Sequence, residues 1–314
     1  MAVIRRALPG DVLVAAYNLL LGAIWWANWR QAPHAPWIAF AHLAAATLPW
    51  LIARAPRRPW DVLAALRECY PLLFLLVFWT ELDLLREVLG SRAFDEQIRS
   101  LDVAVFGVHL HAVWLPRMGS RWISEPMYFM YYAYYALIFV PPLVLAFRGR
   151  RPALRDGTLR LMATYLTAYL VYIAFPVYGP HFLEPHHQGP HTTGLFYNLV
   201  AGAQAAGDSH GCAFPSSHVA GVVTIAIIAW RWFPRSVAIL LAIEALGVVL
   251  ATVYTQNHYA IDSLVGIVWA FAVQLGVVPA LVYLLGPDRA RRSQPASPEL
   301  VPAFRTFDSL GGAS

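Results

Sequence analysis

Apolar residues in this chain fall into long runs, separated by short polar connections that carry arginine. Helical runs of about 18–25 mainly apolar residues match the thickness of a bilayer. Eight such runs occur, at roughly 11–29, 36–53, 62–80, 126–147, 159–177, 216–233, 236–254 and 262–285. The pattern predicts an all-α, polytopic helical membrane bundle with about eight transmembrane helices. Between the third and fourth runs, residues 81–125 mix apolar and charged positions: Phe94, Asp95, Ile98, Leu101, Asp102, Val105 and Phe106. That pattern predicts an amphipathic helix at the membrane interface. The last stretch, 287–314, contains Pro, Ser and Gly without periodicity and is expected to be disordered. The expected division is two N-terminal spans in 1–58, a membrane core in 59–286 and a tail in 287–314.

Composition supports a membrane protein, since 59% of residues are hydrophobic and only 13% charged. All 23 basic residues are arginine. They sit in connections rather than in one basic stripe, so the formal charge of +5 gives no reason to expect nucleic acid. Their placement does set an orientation. Arg5 and Arg6, then Arg54, Arg57 and Arg58, then Arg148, Arg150, Arg151 and Arg155 occupy alternate connections. Arg231 and Arg235, and finally Arg289, Arg291 and Arg292, follow the same alternation. The intervening loops 178–215 and 255–261 hold no arginine, while a lone Arg30 and the long 81–125 segment, with five arginines, depart from the alternation. Basic short loops stay in the cytoplasm, so these two loops are expected on the other side. The first run follows Arg5 and Arg6 as in a signal peptide, but it is long and has no clear small-residue cleavage site, which predicts a retained span. The two cysteines, Cys69 and Cys212, are too far apart in sequence to suggest a disulfide framework or a metal motif.

Two segments carry the candidate chemistry: Ala213-Phe214-Pro215-Ser216-Ser217-His218, and Tyr254-Thr255-Gln256-Asn257-His258-Tyr259-Ala260-Ile261-Asp262. Positions i and i+4 share a helix face, so Asp262 is expected to touch His258. A carboxylate on one imidazole nitrogen fixes the tautomer and frees the other nitrogen to attack. Pro215 suits a first helical turn. Ser216 and Ser217 would then lie at a helix N-terminus, where free amides and the helix dipole favour an anion such as phosphate. His218 is placed to donate a proton to a leaving group and His258 to attack phosphorus, through a phosphohistidine later released by water or an acceptor hydroxyl.

These segments resemble the second and third motifs of the type-2 phosphatidic acid phosphatase (lipid phosphate phosphatase) superfamily, P-S-G-H and S-R-x5-H-x3-D. The first reads Pro215-Ser216-Ser217-His218; the second reads Ala251-Thr252, then His258 and Asp262. The phosphate-binding arginine of the third motif is therefore replaced by Thr252. The paired histidines with Asp95-x6-Asp102-x3-Phe106-Gly107 look closest to the inositol phosphorylceramide synthase-like branch. The superfamily's K-x6-R-P motif is not recognisable; its place holds Phe175-Pro176-Val177-Tyr178-Gly179-Pro180-His181-Phe182. His181 is a candidate replacement for the missing cation, and otherwise an interfacial loop residue. The resemblance implies a six-helix lipid-phosphatase-like core, catalysis by His258, His218 and Asp262, and phosphate contacts from Ser216, Ser217, His181 and Thr252. It also implies a lipid phosphate or phospholipid substrate, no metal and no cofactor.

Other readings stay open on sequence alone. Loop histidines His186, His187, His191 and His210, with His181, have no regular zinc spacing. A transporter using His258 and Asp262 as a proton relay would be expected to show paired broken helices, and no such pairing is seen. Hydrolysis and transfer to an acceptor alcohol share the same intermediate and are not distinguished. The expected location is a bacterial plasma membrane, with the active site on the extracytoplasmic side.

Overall fold

The computed structural model describes residues 7–54, 62–90 and 92–285, and it is built of helices with no β-strand among the described residues. The expected tail at 287–314 and the arginines at 5, 6, 57 and 58 lie outside this range. The chain opens with an antiparallel hairpin of α1 (Pro9–Ala27) and α2 (Ala35–Arg54). Then come α3 (Val62–Cys69), α4 (Pro71–Leu89), α5 (Asp95–Phe106), α6 (Leu110–Met118), α7 (Arg121–Leu137), α8 (Val140–Phe147) and α9 (Arg151–Ala174). The short α10 (Pro180–Leu183) and α11 (Leu195–Gly207) precede α12 (Ser217–Trp232), α13 (Arg235–Tyr254), α14 (Ala260–Ala272) and α15 (Val278–Leu285), the last two joined by a π-helical turn.

Four helical stretches are long and apolar enough to cross a bilayer unaided: α1, α2, α13 and the run from α14 through α15. Counting the bent pairs α3–α4, α5–α6 and α7–α8 as single spans brings the number to seven. The sequence pattern predicts eight, and two of those qualify neither alone nor as a bent pair. Helix α9 carries Arg151, Arg155, Asp156 and Arg160 in its first half, while α12 has only 16 residues. Both are enclosed by neighbours instead, and α9 packs against α1, α3, α4, α8 and α12. The apolar helices make this an integral membrane protein.

Around α9 lies the main core, where Tyr165, Tyr169 and Tyr172 meet Tyr17, Trp25 and Phe78. Buried polar contacts attach the N-terminal hairpin to α4. Glu81 accepts from Trp25 Nε1, and its carboxylate lies 2.6 Å from His42 Nε2; His42 Nδ1 lies 2.9 Å from Asn18 Oδ1. At the other end, buried Asp11 accepts from Arg67 at 2.8 Å and from Tyr70 at 2.8 Å. Such groups are tolerated away from water because each finds a partner.

The 81–125 segment differs from the expected single interfacial helix. The third span runs on to Leu89, and the remainder forms α5 and α6, bent by 64° at Gly107. The stripe Asp95, Ile98 and Asp102 of α5 is buried, whereas Leu101, Val103 and Val105 are exposed. The acidic face therefore turns inward. Its carboxylates are drawn there by backbone amides that need an acceptor.

Candidate active site

Two neighbouring helix starts and the loops before them build the site. Ser216 caps α12: its Oγ accepts from Val219 N at 3.4 Å, and its own amide donates to Asp262 O at 3.1 Å. Pro215 precedes this cap, so it is not in the first turn as its sequence position suggested. Tyr172 OH donates to Pro215 O at 2.7 Å and accepts from Ser217 N at 3.1 Å, which pins the segment to α9. Helix α12 approaches α14 closely at Gly266, where a Cβ would fall 2.7 Å from Ser216 O. Only glycine permits that approach, and it brings the two histidine segments together.

His258 lies before α14 rather than on it. The helix starts at Ala260, with Tyr259 as its N-cap. The contact with Asp262 therefore arises from a tight loop entering a helix, and not from two positions on one helical face. Thr252 O accepts from both Asn257 N at 3.1 Å and His258 N at 3.0 Å, which closes that loop. Asp262 Oδ2 accepts from Tyr259 N at 2.9 Å and sits 3.5 Å from His258 Nδ1. Both residues are buried, and the ring centroids of His218 and His258 are 5.6 Å apart. The tyrosines of α7 form a seam against His218. Tyr131 OH lies 3.2 Å from His218 Nε2, and the Tyr134 ring centroid lies 4.2 Å from that of His218.

Three cavities converge here. An apolar groove runs between Leu75, Leu76, Trp79, Ile138 and Phe139 and ends at Ser217, His218 and Asp208. A narrow pocket brings together Tyr178, His181, Asp208, His218, Asn257 and His258. A wider, more polar space of about 500 Å³ is bounded by Tyr128, His181, His186, Gln204, Asp208 and His210. His181, His218 and His258 thus share one pocket. Ser217 borders the groove, and the Ser216 hydroxyl is committed to its cap. Thr252 is fully buried, its hydroxyl 3.0 Å from Val249 O and 2.9 Å from Ser263 Oγ, so it supports the His258 loop from behind.

Sequence reasoning did not single out Asp208 or Tyr131. Asp208 Oδ2 lies 3.5 Å from His181 Nε2, and the residue borders all three cavities. It stands alone in a glycine- and alanine-rich stretch, with no motif to mark it. The sequence marks Asp95 and Asp102 as charged positions of an amphipathic helix and as part of a resemblance, without a role in the site; their spacing of seven residues is the physical signal, because it puts both on one face of α5. Asp95 accepts from Tyr178 N at 3.0 Å and Gly179 N at 2.9 Å, and Asp102 accepts from Ile261 N at 3.0 Å. One aspartate thus holds the His181 loop and the other the start of α14. Gly179 needs its φ of 79°, and a Cβ there would meet Ala213 Cβ at 2.8 Å.

Burial pushes His258 down to about 4, with the Asp208 charge acting in the opposite direction. Burial, then His186, His258 and His210, hold His181 down at about 4 as well. Both rings are neutral at neutral pH, which leaves a nitrogen lone pair available on each. Burial pushes Asp208 up to about 6, against the lowering effect of His258 and His210. Cys212 is buried, its thiol pushed up by the same desolvation, and its Sγ donates to His210 O at 3.5 Å. It is packing, not a nucleophile.

No curated protein and no solved structure matches the chain. A family model described as PAP2 superfamily matches residues 96–276, more than half of the chain and the whole stretch from Asp102 to Asp262, and the chain belongs to that superfamily.

Proposed function

We propose that the protein cleaves a phosphoester of a membrane lipid through a phosphohistidine on His258. The family makes it a phosphatase or phosphotransferase of lipid type; substrate, acceptor and residue roles are our reading. The observation that carries it is the pairing of His218 with His258, 5.6 Å apart, at the inner end of an apolar groove. The lipid chain occupies the groove and the phosphate occupies the pocket between the two rings. His258, neutral and oriented by Asp262 on Nδ1, attacks phosphorus with its other nitrogen. The ester P–O bond breaks as the N–P bond forms, and His218 protonates the departing alkoxide. In the second step His218 removes a proton from water or an acceptor alcohol, and the N–P bond breaks. His181, as a neutral hydrogen-bond donor, and the positive end of the α12 dipole face the phosphate in place of the absent arginine.

A second reading, transfer of a phospho-headgroup to a lipid alcohol as in the inositol phosphorylceramide synthase-like branch, is favoured by the polar space beside Asp208. It joins the lipid groove at the reacting centre and has room for an acceptor. The arginine distribution supports placing the site on the extracytoplasmic side of a bacterial plasma membrane. Purified protein in detergent, offered a panel of lipid phosphates with and without polyol acceptors, decides among these. Free phosphate alone means hydrolysis, and a new phospholipid means transfer. Neither product from any lipid, with no labelled protein from a phosphate-labelled substrate, overturns the proposal.

A further inference from the structure

At the bend between α5 and α6, three metal-capable side chains meet outside the pocket that holds the histidine pair. One ligand-type atom from each of Asp102, His109 and His111 lies within 4.8 Å of the other two. The backbone explains the meeting. Gly107, at φ 75°, turns the chain after α5, and the 64° bend leaves the start of α6 beside Asp102. His109 is the extended N-cap of α6, and His111 sits in its first turn. Asp102 and His111 are fully buried.

Each group is already oriented by a neighbour. Asp102 Oδ1 accepts from Ile261 N at 3.0 Å, while Oδ2 faces His109 Nδ1 at 2.9 Å. His111 Nε2 lies 2.9 Å from Glu184 Oε2, and its Nδ1 is buried with no hydrogen-bond partner. An imidazole held by a carboxylate on one nitrogen, with the other bare and buried, is the arrangement that metal-bound histidines adopt. Tyr259, its ring centroid 5.2 Å from that of His111, likewise has a buried hydroxyl without a partner.

The alternative is a set of plain histidine–carboxylate hydrogen bonds, and the charge balance argues against it. Asp102 and Asp262 are fully buried and Asp95 is 8% exposed; with Glu184 they make four carboxylates around one helix start. Arg99, 3.8 Å from Glu184, offsets one of these charges. Buried carboxylates are stable when a cation is near, and a divalent ion supplies two charges at one point.

We propose that Asp102, His109 and His111 bind one divalent transition-metal ion, zinc by the donor set, with Glu184 fixing the His111 tautomer. Two imidazoles and a carboxylate suit zinc in tetrahedral coordination, at about 2.0–2.2 Å from each ligand. The 2.9 Å gap between Asp102 and His109 opens by a few tenths of an ångström to admit it. The ion ties the α5–α6 bend to the start of α14, one residue from Asp262, and so steadies the scaffold of the phosphate pocket. None of its ligands takes part in phosphoryl transfer, so the proposal stands apart from the proposed function.

The test uses the full chain purified in detergent without chelator, equilibrated with zinc and desalted. Metal content is read by plasma mass spectrometry, and cobalt substitution by visible absorption. One equivalent of zinc and a tetrahedral cobalt spectrum are expected. His109→Ala, at a partly exposed ring, should lose both, whereas loop variant His186→Ala should keep them. Glu184→Gln leaves the three ligands in place and should weaken zinc affinity about 10–100-fold, which keeps the test valid should His109→Ala misfold. Failure of the wild type to retain zinc overturns the proposal. So does zinc retained equally by a folded His109→Ala protein, or unchanged affinity in Glu184→Gln.

Discussion

Asp262→Asn tests the division of labour most directly, because it removes one charge and almost no volume. Asp262 Oδ2 lies 3.5 Å from His258 Nδ1, longer than an ordinary hydrogen bond, so its effect in the resting state is mainly coulombic. As His258 attacks, its ring becomes cationic. A unit charge pair at this distance is worth about 5 kcal/mol at an effective dielectric of about 20. At 1.36 kcal/mol per decade, losing it slows the chemical step by about three orders of magnitude. The Asn oxygen can still accept from Tyr259 N, so the α14 cap and the fold are retained. Steady-state kinetics on an aryl phosphate should show kcat down about a thousandfold with KM nearly unchanged. The thermal midpoint should move little. A folded Asp262→Asn protein that loses less than tenfold, or loses through KM instead, would refute the role given to this carboxylate.

Other expectations follow from the same geometry. His258→Ala should abolish turnover and any acid-labile phosphoenzyme, while His218→Ala should be crippled on alkyl phosphates and much less on aryl phosphates, which leave without a proton; equal losses on both would make His218 a phosphate binder only. Asp95→Ala strands the amides of Tyr178 and Gly179 and should lower stability by about 2–4 kcal/mol, measured as a fall in thermal midpoint. Gly266→Ala places a methyl 2.7 Å from Ser216 O, forces α12 from α14, and should lower kcat more than Thr252→Val does, by comparison of the two purified variants. Asp208, pushed up to about 6, keeps a proton in the folded state that the unfolded chain releases near pH 4. Stability from this group is present at low pH and lost as pH rises through about 4 to 6, and Asp208→Asn should flatten that dependence in thermal melts.

Spans and motifs were legible because they depend on local facts. Run length against bilayer thickness located most helix boundaries within a few residues, from the hairpin of α1 and α2 to the run that ends at Leu285. The paired segments around His218 and His258 were visible as ionisable groups at the ends of apolar runs. Other features were hidden because they depend on packing between distant parts of the chain. The α5 segment reads as amphipathic in either orientation, and only the amides of Tyr178, Gly179 and Ile261 draw its aspartates inward. Thr252 occupies the place of an arginine in the motif, yet its hydroxyl turns to Ser263 because the loop to His258 folds over its carbonyl.

By itself the sequence determined a helical membrane protein, the number of apolar runs to within the charged α9 and the short α12, and the two histidine segments at the ends of apolar runs. Periodicity and residue chemistry act over a few turns of chain, and those features require nothing more. The tertiary structure decided that His218 faces His258 across 5.6 Å, that Asp262 reaches its histidine from a helix start, and that Asp208 stands where three cavities meet. Those facts depend on how closely α12 can approach α14 and where the loop before α12 is held. Residues more than 40 positions apart fix both: Gly266 against Ser216, and Tyr172 against Pro215 and Ser217.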